Sequence, residues 1–547
     1  MGQLTIFEDQ AVTSFKNFTI YRSSAGSGKT FTLVKEYLKI VLRNPADFQH
    51  VLAITFTNKA TEEMKKRILE QLRDMAAGRP TDMQKQIDQE FAHFPQKLDI
   101  KSRATKVLDN ILHNYSRFAI STIDHFFSQL VRSLARELRL NLNYEIDVDD
   151  DTAMQEALQN LYSQLHHTPE LKEWVKDFAF NRIEQDKGWQ LDYNLIEFGK
   201  ELFKEKFHKG FSQIDPQKVN MASLRELEQQ LQNTRNSYQG YQRDRASEAL
   251  KIIGDQGLKT YDFKFKGSGT VNTFYKFFKG QFELRKRFVD LACGYDDWYK
   301  SGALKADQIK SAVANGLDRV TKEIYHYHQT HYQEYVSACH LQRHIYSYGL
   351  LDALNEQLKA YRQQNNLMLL SHNGFLLKEI IADREAPFLF EKLGSYYHHV
   401  LIDEFQDTSA YQWDNLKPLV THSLDNQNHV LLVGDVKQSI YRWRGGDLNL
   451  LLHQAADELA LYRDQLEEKT LQTNWRSAQS VIHFNNTFFS IAHKFLLNTK
   501  DLPEDSGMLT EVYREVEQNQ HKRNRGAVRL QFFEREEYRK WDQAQQN

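Results

Sequence analysis

The run Ser23-Ser24-Ala25-Gly26-Ser27-Gly28-Lys29-Thr30 sits between a short apolar segment, Phe18–Tyr21, and a helical pattern, Phe31–Leu42. A strand that breaks at glycines and resumes as a helix constrains the chain to an α/β layout. Glycines let the loop backbone curl so that its N–H groups face inward, and the following helix adds the positive end of its dipole, so the loop is built to hold phosphate. Lys29 is then placed to reach the β and γ phosphates of a nucleotide and the Thr30 hydroxyl to bind Mg²⁺. Ser23 stands where this kind of loop usually begins with glycine, and serine is small enough to serve. An ordinary glycine-rich turn is the plain alternative. Lys-Thr at the start of a helix favours the phosphate reading.

A site that hydrolyses nucleotide needs carboxylates at the end of another strand of the same sheet. Val400-Leu401-Ile402-Asp403-Glu404 supplies them. Asp403 is the candidate Mg²⁺ ligand and Glu404 the candidate base that deprotonates the attacking water. An apolar run followed by Asp-Glu says little alone, and gains meaning when coupled to a phosphate loop.

Apolar, β-branched runs at Phe18–Tyr21, Val51–Phe56, Phe118–Thr122, Val400–Ile402 and Val430–Val433 read as buried parallel strands. Helical patterns lie between most of them, such as Thr61–Met75 with Met64, Ile68, Leu69 and Leu72 three and four residues apart. The expected core is therefore a parallel sheet flanked by helices. Residues 145–365 differ, with Leu and Tyr at helical spacing among Gln, Lys and Glu, and with no proline between Pro216 and Pro387 to break long helices. They read as a large, mainly helical insertion. Where it begins, Asp147, Asp149 and Asp151 alternate like the start of a calcium loop, but Thr152 and Leu158 stand where such a loop needs Gly and Glu, so the run reads as a solvated edge leading into a helix.

A chain of 547 residues exceeds what one hydrophobic core supports. Its formal charge of −2 confines any nucleic-acid contact to a local groove. Two cysteines, Cys293 and Cys339, exclude a disulfide framework and suit a reducing, cytoplasmic setting. No apolar run is long enough to span a bilayer, and the first residues, MGQLTIFEDQ, lack the order of a signal peptide.

The glycine loop, Thr55-Phe56-Thr57-Asn58-Lys59-Ala60, Leu401-Ile402-Asp403-Glu404-Phe405-Gln406-Asp407-Thr408, Val433-Gly434-Asp435-Val436-Lys437-Gln438-Ser439-Ile440-Tyr441 and Asn474-Trp475-Arg476-Ser477 resemble, in order, successive motifs of superfamily 1 DNA helicases of the UvrD/Rep type, leaning toward the RecB/AddA branch of recombination helicase–nucleases. The resemblance covers about 1–135 and 385–490 and hardly touches the middle. It implies a RecA-like P-loop NTPase fold and an ATP- and Mg²⁺-dependent motor on single-stranded DNA and single/double-strand junctions, with no membrane involved and with a nuclease or recombination subunit as partner. It implies that Gln438 senses the γ phosphate, that Gln406 belongs to the polar network beside the attacking water, that Arg476 stabilises charge on the transferred phosphoryl, and that Trp475 stacks on adenine. For DNA it implies contacts from Phe56, Thr57, Asn58 and Lys59, a second set at Thr122 and His125, and a base stacked on Trp443 beside Arg444. Asp124 departs from the pattern of that second set. A non-hydrolysing scaffold subunit is the alternative reading.

The resemblance divides the chain into a RecA-like lobe formed by 1–144 and 366–490, the insertion 145–365, and the start of a second lobe in 491–547. Only 71 residues follow Arg476, so the chain is expected to be a fragment that binds nucleotide but hydrolyses it poorly alone. Two further signals lie in the insertion. Residues 259–287 carry eight Lys or Arg against Asp262 and Glu283, interleaved with eight aromatics, which suits either DNA backbone binding or a core with a charged face. His326, His328, His331, Cys339, His340 and His344 invite a zinc reading, but they lack a second compact ligand pair, and a helix bearing them is the better reading.

Overall fold

The computed structural model describes residues 16–92, 98–133, 145–147, 149–184, 188, 190–211, 220–300, 302–369, 393, 396–442, 445–497, 507–514, 516–521 and 524–532. The chain forms two compact units. One comprises Met1–Val148, Phe203–Lys206 and Asn366–Asn547, and the other Asp149–Leu202 and Phe207–Asn365.

The first unit is α/β. Its strands are β1 (Phe18–Arg22), β2 (Val51–Thr55), β3 (Ile120–Thr122), β4 (Glu145–Asp147), β5 (Leu367–Leu369), β6 (His399–Ile402), β7 (Val430–Gly434), β8 (Leu466–Thr470), β9 (Thr473–Asn474) and β10 (Asn519–Gln520). Six make one parallel sheet in the order β3-β2-β6-β7-β1-β8. Two short parallel pairs, β4 with β5 and β9 with β10, lie outside it.

The central strands are mostly apolar because helices cover both faces, and successive residues point to opposite layers. Phe18, Ile20, Leu52, Ile54, Val400, Ile402, Val430 and Leu432 pack on one side, against the helices Ile123–Ser133 and Ala410–Asp425. Tyr21, Val51, Ala53, Leu401, Leu431 and Val433 pack on the other, against Lys29–Arg43, Asn58–Ala76 and Ile100–His113. All five strands expected from apolar runs are present. The edge strand β8, LEEKT, has no apolar run to reveal it. Among the described residues it pairs only with β1, and its exposed charges suit an edge that must not recruit another strand.

The second unit is helical and built around two long helices, Met221–Asp255 and Asp318–Gln364. Asp149 caps the helix Asp150–Gln164, its carboxylate accepting from the Asp151 and Thr152 N–H groups at 3.1 and 3.0 Å, so the end of the acidic run is a helix start. The basic, aromatic stretch is divided between core and surface. Phe263, Phe274, Phe277 and Phe282 are buried, whereas Tyr261, Phe265, Tyr275 and Phe278 are exposed. The clustered histidines and Cys339 all lie on Asp318–Gln364. His328 pairs with the Tyr238 hydroxyl at 2.8 Å, and burial pushes its pKa down to about 4.

Candidate nucleotide site and nucleic-acid edge

The candidate site forms at the carboxyl ends of β1, β6 and β7, which the parallel registers Arg22↔Gly434 and Ile402↔Leu432 bring level. The phosphate loop leaves β1 and turns through Gly26 (φ 76°) and Gly28 (φ 92°), left-handed conformations that glycine adopts without strain, into the helix Lys29–Arg43. Its base is fixed to β7, since the Ser23 N–H and hydroxyl both donate to the Gly434 carbonyl, at 2.9 and 2.7 Å. The serine at this first position therefore contributes an anchor that glycine would lack. Ser27 closes the loop internally, its hydroxyl accepting from Ser24 N at 3.2 Å and its N–H donating to Ser24 O at 3.1 Å.

Lys29, Glu404, Gln406, Asp435 and Gln438 form a closed ring of hydrogen bonds. Lys29 Nζ donates to Glu404 Oε2 at 2.7 Å and to Gln438 Oε1 at 3.4 Å. Gln406 Nε2 donates to the same Glu404 oxygen at 2.8 Å, while its Oε1 accepts from Asp435 N at 2.9 Å. Gln438 Nε2 donates to Asp435 Oδ2 at 2.8 Å and completes the circuit. Gln406 is buried, so its amide reaches Glu404 rather than open solvent. Gly434 makes room for it, because a Cβ there would sit 2.5 Å from Gln406 Oε1.

Three carboxylates crowd this point and Lys29 faces them. Burial first, and the charge of Glu404 second, push the Asp403 carboxyl up to about 7, with Lys29 opposing. The same causes carry Asp407 to about 6, and its buried Oδ1 has no hydrogen-bond partner. Withdrawn oxygen ligands with an excess of negative charge are the donor set a hard divalent cation requires, so these residues fit Mg²⁺. Asp403 and Thr30 are the candidate holders, and Asp407 lies in the same acidic cluster.

The segment after β9 closes the loop's outer side. Asn474 Nδ2 donates to Ala25 O at 3.1 Å, and Asn474 Oδ1 caps the N–H groups of Arg476 and Ser477 at 2.9 and 2.8 Å. Trp475 N donates to Gly26 O at 2.9 Å. The indole of Trp475 is 48% exposed, lies near Gly28 and packs on His521 with ring centres 4.0 Å apart, which leaves ring surface available for a base. Arg476 is exposed beside Gly26.

At the ends of β2 and β3, where Thr55 is level with Thr122, lie the candidate DNA residues. Thr57, Asn58, Lys59 and His125 are exposed. Thr57 is also the cap of the helix Asn58–Ala76, and Thr122 Oγ1 accepts from His125 N at 3.3 Å. Phe56 is half-buried against Tyr441, with ring centres 4.6 Å apart. Trp443 and Arg444 lie outside the described residues. Asp407, Asp435 and Asn474 stand inside the motifs that drew attention to their neighbours, so motif membership was the signal available for them. Gln518, described below, carried none.

The UvrD/REP helicase N-terminal domain matches residues 4–458 of this sequence. The chain belongs to the UvrD/REP helicase family. It is 25% identical over 517 residues to the RecBCD enzyme subunit RecB of Chlamydia trachomatis, covering 91% of this chain and 44% of that protein. It is 26% identical over 537 residues to the exonuclease/helicase subunit RexA of Lactococcus lactis, covering 89% and 40%. It is 23% identical over 499 residues to the RecBCD enzyme subunit RecB of Haemophilus influenzae, covering 86% and 40%. The chain thus spans about two-fifths of the length of the curated relatives it matches. Among the described residues, no helix is long and apolar enough to cross a membrane.

Proposed function

We propose that this chain is the ATP-binding part of a DNA translocase that moves along single-stranded DNA and acts at single/double-strand junctions, within a cytoplasmic recombination or repair helicase–nuclease. The observation that carries this reading is the ring through Lys29, Glu404, Gln406, Asp435 and Gln438. It connects the phosphate loop to the carboxylate pair and to Gln438, three residues before Tyr441, which packs on the candidate DNA residue Phe56.

Chemistry follows from the ring. Lys29 neutralises Glu404 through their 2.7 Å contact. An arriving γ phosphate competes for Lys29, which frees Glu404 to orient and deprotonate water and removes the donor on which Gln438 Oε1 rests. Gln438 is then able to turn toward the phosphate, and its segment carries that change to the DNA edge. Thr30 and Asp403 would hold Mg²⁺, which would supply charge neutralisation on the phosphate oxygens. Arg476 stabilises the transferred phosphoryl, Trp475 stacks on the base, and Phe56, Thr57, Asn58, Lys59, Thr122, His125, Trp443 and Arg444 take the strand. In this scheme 1–144 and 366–490 make the ATP-binding lobe, 145–365 the insertion and 491–547 the start of a second lobe. Turnover by this chain alone is expected to be slow, because Arg476, which would have to reach the transferred phosphoryl, lies in solvent.

The test is ATP hydrolysis with and without single-stranded DNA. Hydrolysis that rises with DNA and disappears in Lys29→Ala supports the reading, and unchanged DNA-stimulated turnover in Lys29→Ala removes it. Glu404→Gln is expected to bind ATP and lose hydrolysis by about 10²–10⁴-fold. Nucleotide binding without any hydrolysis, even with DNA and the protein's partners present, favours the non-hydrolysing scaffold instead.

A further inference from the structure

We infer that Gln518, outside every recognised motif, is a positioning residue of the phosphate loop. The inference rests on the nucleotide-site reading above and extends it to a residue 42 positions beyond Arg476.

Each polar group of Gln518 is engaged. Its side-chain Nε2 donates to the Ala25 carbonyl at 3.0 Å, and its Oε1 accepts from Asn474 Nδ2 at 2.8 Å. Its backbone is bracketed by one side chain, since Gln518 N donates to Asn486 Oδ1 at 3.1 Å and Asn486 Nδ2 donates to Gln518 O at 3.0 Å. The next residue begins β10, which pairs with β9 through Asn519↔Thr473 and Gln520↔Asn474. A glutamine has several rotatable bonds to immobilise, and this one is fixed at both ends, so it presents its amide to Ala25 with little remaining freedom.

The consequence lies in peptide geometry. The C=O of Ala25 and the N–H of Gly26 belong to one planar trans unit and point in opposite directions. Two amide donors, from Gln518 and Asn474, hold the Ala25 oxygen on the outer side of the loop. They thereby turn the Gly26 N–H to the inner side, where a phosphate oxygen would accept from it. Trp475 N fixes the next carbonyl, that of Gly26. Contact on the outer side is close, since a Cβ at Gly26 would sit 2.9 Å from Asn474 Oδ1. Gln518 therefore acts through the loop backbone on the phosphates and leaves the base to Trp475.

Gln518→Met keeps the length and bulk of the side chain and removes both its donor and its acceptor without adding charge. Titration of the protein with MgATP and with magnesium tripolyphosphate, followed by calorimetry, reads the effect. Affinity for both is expected to fall by the same factor, about fivefold to thirtyfold for a lost hydrogen bond and an ill-set loop, with the nucleotide-free Tm unchanged. Unaltered affinity for both overturns the inference. A loss confined to ATP also overturns it, because that would assign Gln518 to the base. Should Gln518→Met melt early, Asn486→Ala is used instead. It releases the Gln518 backbone and is expected to weaken both ligands in the same direction, and undiminished affinity there overturns the inference. Failure of the unsubstituted chain to bind either ligand would instead remove the nucleotide-site reading on which the inference rests.

Discussion

The Lys29–Glu404 pair offers a test of whether the ring is an energetic unit. The charges meet at 2.7 Å, with side chains 13% and 31% exposed. At an effective dielectric constant of about 20 the gross attraction is about 6 kcal/mol, most of it offset by removing both groups from water, which leaves a net coupling of about 1–3 kcal/mol. Lys29→Met removes the cation and leaves Glu404 beside Asp403 and Asp407, both of which Lys29 otherwise draws down. The loop and the carboxylate segment should then open locally more often. Glu404→Gln removes a charge from the same cluster and should cost less, because it also relieves repulsion. In the double variant the Lys29 substitution should cost less by the coupling energy, since its nearest partner charge is already gone and only its weaker pull on Asp403 and Asp407 remains. Amide hydrogen exchange of peptides covering 23–30 and 400–408, at pH 8 without nucleotide or Mg²⁺, measures the local opening directly. A cost of about 2 kcal/mol corresponds to exchange about thirtyfold faster in Lys29→Met. Additive effects, with a coupling below about 0.3 kcal/mol, would refute the ring as a unit.

Other perturbations reach the same site. With the Asp403 carboxyl at about 7, the folded state holds a proton that the unfolded chain releases, so this group costs stability as pH rises from the ordinary carboxylate range through about 7. Mg²⁺ must displace that proton, so MgATP affinity should be about tenfold higher at pH 8 than at pH 6, with proton release seen by calorimetry in two buffers, and a flat pH profile would contradict this assignment. Gly434→Ala places a Cβ 2.5 Å from Gln406 Oε1 and 2.6 Å from Leu451 Cδ2. It should cost about 1–3 kcal/mol and lower Tm by several degrees, and an unshifted transition would mean that Gln406 moves aside freely. Trp475→Ala should weaken ATP by about 1–3 kcal/mol while leaving tripolyphosphate affinity unchanged, and equal loss for both would move Trp475 from the base to the loop.

Legibility in the sequence followed burial. Strands β1, β2, β3, β6 and β7 were readable because runs of three or more consecutive apolar or β-branched residues mark a strand covered on both faces. Strand β8 was not readable, because an edge strand needs hydrogen bonds from one neighbour and little apolar surface, and LEEKT carries no pattern. The helical character of the second unit was visible from spacing and from the absence of proline between Pro216 and Pro387. Which of its aromatics are core and which are exposed was not, because Phe277 and Phe278 differ only in the side of a helix they occupy. Lys29, Asp403, Glu404, Gln438 and Arg476 were singled out from motifs. Their mutual contacts, the partnerless oxygen of Asp407 and the part played by Gln518 were not.

The sequence by itself determined the local devices: a glycine loop between a strand and a helix, an Asp-Glu pair at a strand end, and the family pattern that orders them. These are properties of neighbouring residues, set by backbone freedom, propensity and spacing. Only the tertiary structure decided which groups meet. Lys29 and Glu404 are 375 positions apart and Gln518 and Ala25 are 493 apart. A hydrogen bond over that separation depends on strand order and register, and it leaves no periodic trace in the chain.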